Sequence, residues 1–259
     1  MTATPSDVKP ASFPNGPTGV LVLHGFTGSP QSMRPLAVRF AEDGHSVELP
    51  ALPGHGSKIE DLLPTRFDDW YSAASAAYAD LDSRCERVVV VGLSMGGTLA
   101  TCLAIEHEPA AMVVINPQVA PPPESVIEVV QGLADEGVAT IPAIGGDIAK
   151  EGTEELAYAA TPVQPLLSFI ERCKVLVDEL GGITCPVLIF TSTQDHVVDP
   201  VSSEVLAAGV SGPVERVALE RSFHVATLDH DKKLIEDRAS AFVAEVAELA
   251  KGGRREPAA

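Results

Sequence analysis

The 259-residue sequence predicts a three-layer, mostly parallel α/β fold, on three observations. Short apolar runs alternate with longer helical patterns, the signature of βα units. The runs are nearly continuous rather than alternating, as in "VLVLH" (20–24) and "RVVVV" (87–91), so helices are expected on both faces of the sheet. Each run is also bounded by Gly, Pro or polar turn residues.

In chain order, strands are expected near 20–24, 45–49 ("HSVEL"), 87–91, 111–115 ("AMVVI"), 186–191 ("PVLIFT") and 214–219 ("VERVAL"), with helices between them. The clearest helix is the last, where Ile235, Ala239, Phe242, Val243, Val246 and Leu249 recur at helical spacing and define one apolar face. The opening residues 1–17 carry Pro and Gly and read as an irregular, flexible lead-in, and 251–259 as a flexible end. Residues from about 117 to 165 break the alternation, with many Pro and Gly and no clear strand. So long a segment between two strands reads as a lid inserted over the carboxyl ends of the strands, within a single domain spanning 1–259.

Composition narrows the function classes. A hydrophobic fraction of 45% is enough for a sizeable core. The apolar run "GVLVLHGF" is far shorter than the roughly 20 residues of a membrane helix, so no integral membrane association is expected. The start lacks the basic and apolar regions of a signal peptide, which points to the cytoplasm. Cys85, Cys102, Cys173 and Cys185 are dispersed without C-x-x-C spacing and read as reduced and structural. With 36 acidic against 18 basic residues the formal charge is -18, which repels nucleic acid and anionic surfaces.

The stretch "VVVVGLSMGG" (88–97) carries the chemistry. A buried strand running into Gly-x-Ser-x-Gly matches a nucleophile elbow, a sharp strand-to-helix turn that lifts Ser94 above the sheet. Gly92 and Gly96 then serve the close approach of strand and helix. The competing reading is a tight turn in which Ser94 only caps the helix beginning near Met95. A serine nucleophile needs a base, with an acid between the two in chain order. "FTSTQDHVVDP" offers Asp195 after a strand, and "RSFHVATLDHD" offers His224 before the final helix. Asp199 and Asp229 are the neighbouring acids, and His196 and His230 the neighbouring imidazoles. Asp199 is read as capping the helix near Val201, and His196 and His230 as surface or packing residues. His24 and His55 are read as shaping the loops beside the site. Two N–H groups are needed to hold an oxyanion, and Met95 after the nucleophile and Phe26 in "HGFTGSP" are the candidates. That loop also reads as an ordinary Gly-rich turn, and it lacks the lysine and the spacing of nucleotide-binding loops.

With "HGFTGSP", "GLSMGG", "TQDHVVDP" and "SFHVATLDHD" in this order, the chain from about 18 to 250 resembles the α/β-hydrolase family, in particular the small bacterial monoacylglycerol lipases and carboxylesterases. The resemblance implies an α/β-hydrolase fold with Ser94, Asp195 and His224 as the triad and the N–H groups of Phe26 and Met95 as the oxyanion hole. It also implies that the lid residues Ile144 and Glu155 select a glycerol headgroup, although Glu154 adjoins Glu155 and can equally begin a solvated helix. Val126, Ile127, Val129, Val130, Leu133 and Ile141 suit an acyl tunnel and ordinary lid packing alike. The expected reaction is hydrolysis of small acyl esters, chiefly monoacylglycerols, with no metal or organic cofactor, by a monomer or homodimer. A broad carboxylesterase and a non-hydrolytic ligand-binding homologue are the alternatives. Epoxide hydrolase and haloalkane dehalogenase chemistry needs an aspartate where this chain has Ser94.

Overall fold

A computed structural model describes residues 7–143 and 146–252. The central sheet has seven strands, β1 (Ala11–Phe13), β2 (Thr18–Leu23), β3 (Ser46–Leu49), β4 (Arg87–Leu93), β5 (Ala111–Ile115), β8 (Val187–Ser192) and β9 (Val214–Leu219), in the order β1-β3-β2-β4-β5-β8-β9. Every neighbouring pair is parallel except β1 with β3. The lead-in read as irregular thus supplies a three-residue antiparallel edge strand, too short for its pattern to register in sequence.

The continuous apolar strands split by alternation. Val88 and Val90 join Leu21, Leu23, Met112, Val114 and Ile189 on one face, packed against Trp70 of α3 (Phe67–Arg84), Leu99 and Leu103 of α4 (Met95–His107) and Leu176 of α6 (Val163–Glu179). Val89 and Val91 join Val20, Val22, Val113 and Phe190 on the other, against Leu36 and Phe40 of α1 (Arg34–Glu42) and Ile235, Ala239 and Val243 of α8 (Lys232–Gly252). A strand that must satisfy both faces has no polar position to spare, which is why these runs read as unbroken apolar sequence. Each such side chain contributes on the order of 1.5–3 kcal/mol on burial.

From β2 the chain first adds β3 on one side and then returns to place β4 on the other. The loops leaving β2 and β4 therefore diverge at a topological switch point, where open parallel sheets form their crevice. The segment between β5 and α6 lies outside the main sheet and contains α5 (Glu124–Asp135) and a two-stranded antiparallel ribbon of β6 (Thr140–Pro142) and β7 (Ala160–Pro162). That ribbon corrects the expectation of no strand there. Its strands are three residues long and each ends in Pro, so neither shows alternation. α5 packs Ile127 and Val130 against Val163, Leu167 and Ile170 of α6.

Candidate active site

Ser94 lies between β4 and α4 with φ 55° and ψ −119°, left-handed backbone that costs a non-glycine residue on the order of 1–3 kcal/mol. Its neighbours have no room for side chains. A Cβ on Gly92 would fall 2.1 Å from the Gly96 carbonyl oxygen, and one on Gly96 2.3 Å from that of Leu23. The Ser94 N–H donates to the Ile115 carbonyl at 3.0 Å, and its own carbonyl accepts from Gly97 and Thr98 at 2.9 and 3.2 Å. The backbone is thus pinned from β5 and from α4. Among the described residues the Ser94 hydroxyl makes no capping bond to α4, so a capping role does not account for the serine. Met95 opens the helix with its side chain fully buried.

His224, in the irregular stretch between β9 and α8, places Nδ1 2.7 Å from Asp195 Oδ2, and both side chains are almost wholly buried. The other oxygen of Asp195 accepts the N–H groups of Val197 and Val198 at 2.9 and 2.8 Å. A carboxylate only accepts, so the imidazole proton sits on Nδ1 and leaves the Nε2 lone pair free. Asp199 instead accepts the Val201 N–H at 2.9 Å at the start of α7 (Val201–Gly209). His230 is exposed. Asp229 is buried and binds four backbone N–H groups, those of Ala149, Lys150, Phe223 and His230. Its bonds are with peptide groups rather than with an imidazole.

Ser94 and His224 both line a cavity of about 230 Å³, together with Gly25, Phe26 and Glu155. Its other walls are mostly apolar, with Val126, Val130 and Ile141 from the β5–α6 segment and Leu166, Phe169 and Ile170 from α6. Of the remaining aliphatics in that segment, Ile127 is buried against α6, Leu133 is partly buried beside it, and Val129 is 62% exposed. Ile144 lies outside the described residues. Glu155 is partly exposed to the cavity, and its Oε2 accepts the Gly146 N–H at 3.2 Å. Burial pushes its carboxyl above the usual carboxylate range, against the opposing pulls of His224 and the Gly146 N–H.

The Phe26 ring packs on Trp70, His55 and Phe169 at centroid distances of 5.3, 6.1 and 6.2 Å. His24 fixes the same loop: its Nδ1 bonds the Gly25 carbonyl at 2.9 Å and its Nε2 accepts the Leu52 N–H at 3.2 Å. Burial pushes its pKa down to about 4, and burial together with the neighbouring His24 pushes that of His55 down to about 3. Both imidazoles are neutral pins for the loops beside the cavity.

Two residues that sequence reasoning passed over hold the His224 peptide. Asn116, at φ 45° just after β5, donates Nδ2 to the His224 carbonyl at 2.7 Å and to Ser192 Oγ at 2.9 Å. Its place at a strand's carboxyl end is the signal that singled out Asp195. Asp147, in the β5–α6 segment, accepts the His224 N–H at 3.1 Å, and no pattern in the surrounding loop marks it. Among the described residues, no three His, Cys, Asp or Glu side chains cluster as metal ligands do. A serine at a strained turn and a carboxylate-held imidazole thus line one mostly apolar cavity, and these are the group types that nucleophilic attack on a carbonyl carbon calls for.

A family model described as "Alpha/beta hydrolase family" matches residues 20–243. The chain is 41% identical over 244 residues to a thermostable monoacylglycerol lipase of Bacillus sp. strain H-257, covering 92% of this chain and 95% of that protein. It is 26% identical over 238 residues to a carboxylesterase of Bacillus subtilis strain 168, covering 91% and 96% respectively. A solved structure from work on the metagenome-derived lipolytic enzymes LipS and LipT superposes with a TM-score of 0.88 at 38% identity, covering 92% of this chain and 98% of that one.

Proposed function

From the premise that this chain belongs to the alpha/beta hydrolase family, we propose that it hydrolyses monoacylglycerols to fatty acid and glycerol, with Ser94, His224 and Asp195 as its triad. One observation carries the reading: the imidazole of His224 is tied to Asp195 at 2.7 Å and lines the same cavity as Ser94. Ser94 Oγ bonds to the ester carbonyl carbon while its proton passes to His224 Nε2. Negative charge gathers on the carbonyl oxygen, toward the N–H groups of Phe26 and Met95. Collapse breaks the bond to glycerol, whose oxygen takes the proton back from His224. Water, deprotonated by the same nitrogen, then releases the fatty acid and restores the Ser94 hydroxyl.

The segment between β5 and α6 acts as the lid. Its Val126, Val130 and Ile141 face the acyl chain, and Glu155 accepts hydrogen bonds from the glycerol hydroxyls, a selection in which the family resemblance also implies Ile144. The name of the Bacillus sp. relative supports glycerol as the leaving alcohol. Four free cysteines among the described residues fit a reducing compartment, the cytoplasm, and no described helix is long and apolar enough to cross a membrane.

The test is the hydrolysis rate of 1-monolauroylglycerol beside ethyl laurate, with Ser94→Ala as blank. The reading predicts a clear preference for the glyceride, cut about tenfold by Glu155→Gln because an amide offers one acceptor oxygen in place of two. Equal rates on the two esters point to a broad carboxylesterase instead. No rate above the blank leaves a ligand-binding protein.

A further inference from the structure

We propose that Asp147 is the residue that positions His224 against Asp195, so that the inserted segment completes the acid–base pair as well as covering it; this rests on the hydrolase reading above. His224 lies where neither strand nor helix fixes its peptide plane. A single oxygen, Asp147 Oδ2, accepts the N–H of His224 and the N–H of His196, each at 3.1 Å. His196 is the residue after Asp195, so one carboxylate oxygen sets the spacing between the acid's loop and the base's loop. The other oxygen pairs with His196 Nδ1 at 2.9 Å, and the Asp147 carbonyl accepts the Val225 N–H at 3.0 Å.

The brace is itself anchored. Two and three residues on, Ala149 and Lys150 donate their N–H groups to Asp229 at 2.7 and 2.9 Å, and Asp229 belongs to the loop that carries His224. The two segments therefore hold each other through reciprocal carboxylates. From the far side Asn116 holds the His224 carbonyl at 2.7 Å, so the peptide groups on both sides of the base are fixed by side chains. Burial pushes the Asp147 carboxyl up, but the bonds from His196 and His224 outweigh it and hold the group below the usual range. Asp147 bonds the backbone of His224 and not its ring, so its role is orientation and not proton transfer.

The test pairs Asp147→Ala with Asp147→Asn. The amide oxygen of Asn can still take both N–H groups while its NH₂ donates to His196 Nδ1 in the other tautomer, so Asn rescues where Ala does not. Turnover of ethyl laurate is normalised to serines titrated by a fluorophosphonate, which removes misfolded protein from the comparison. Asp147→Ala is expected to lower kcat per titrated serine by about 10- to 100-fold with KM within about twofold. It is also expected to displace the downfield proton signal of the His224 Nδ1–H bond. Asp147→Asn is expected to recover kcat to within about fivefold of the parent and to keep the signal. A kcat per serine within about twofold of the parent in Asp147→Ala, with the signal unmoved, overturns the proposal.

If Asp147→Ala does not fold, amide exchange of the parent decides. Protection of the His196 and His224 amides equal to that of Val197 and Val198 supports the brace, and exchange at the rate of free peptide refutes it. If the parent turns over no ester, the hydrolase reading fails by itself, while the proton signal and the amide exchange still decide the role of Asp147.

Discussion

Gly28 links the loop after β2 to the segment between β5 and α6 at the level of single atoms. A Cβ there would lie 2.7 Å from Glu155 Oε1, so alanine displaces the end of a side chain and not backbone. Gly28→Ala is therefore expected to shift stability by no more than about 0.5 kcal/mol while reducing the glyceride-over-ethyl-ester rate ratio about tenfold. Urea unfolding and paired ester assays check both halves, and an unchanged ratio contradicts the placement of Glu155 at the headgroup. Ser94, Asp195 and His224 could be singled out in the sequence because nucleophile chemistry demands an order and a position, each after a strand; in the structure His224 bonds Asp195 and shares a cavity with Ser94. Asn116 and Asp147 were not picked out, since they act on the peptide of His224 from 108 and 77 residues away; only its place after β5 marks Asn116, and nothing in the loop around Asp147 marks an acceptor for a backbone N–H.

Among the elements, the longer strands of the central sheet were legible and the three-residue strands were not. β2, β4, β5 and β8 bury both faces and announce themselves as apolar runs, and the edge strand β9, with Leu219 alone fully buried, still shows one in part, whereas β1, β6 and β7 are three residues each and take their order from what they pair with. The stretch from 146 to 158 has no regular structure and is held by discrete bonds. On its far end Gln31 bonds the Glu154 carbonyl at 3.1 Å and the Leu156 N–H at 3.0 Å. Tyr158 donates its N–H to the Thr27 carbonyl at 3.0 Å, and its hydroxyl donates to the Gly54 carbonyl at 2.7 Å and accepts the Ser57 N–H at 3.0 Å. Tyr158→Phe removes that hydroxyl and is expected to cost about 1 kcal/mol and to speed amide exchange at 156 and 158. An unchanged urea midpoint with unchanged exchange contradicts the strap.

For the whole molecule, the order β3-β2-β4 brings the Phe26 loop and the Ser94 turn together at the crevice, where Val126, Val130, Ile141 and Glu155 of the β5–α6 segment line the same cavity. The two neutral histidines under the Phe26 loop make this arrangement sensitive to acid. The unfolded chain takes up their protons near pH 6.5, while the folded chain resists to about 4 at His24 and about 3 at His55, chiefly through burial. Below pH 6.5 the unfolded state therefore binds more protons, and stability falls as pH drops toward 4 by about 1.4 kcal/mol per histidine per unit. Urea midpoints from pH 7 to 4 check this, and His55→Phe is expected to make the decline shallower. Intact-protein mass spectrometry after exposure to a fluorophosphonate tests whether Ser94 is a nucleophile armed by His224 and Asp195. One phosphonyl adduct per chain is expected, with loss of fluoride, mapped to Ser94, and ester turnover is expected to be lost in step with labelling. Turnover that survives complete labelling, or an adduct formed equally by Ser94→Ala, contradicts it.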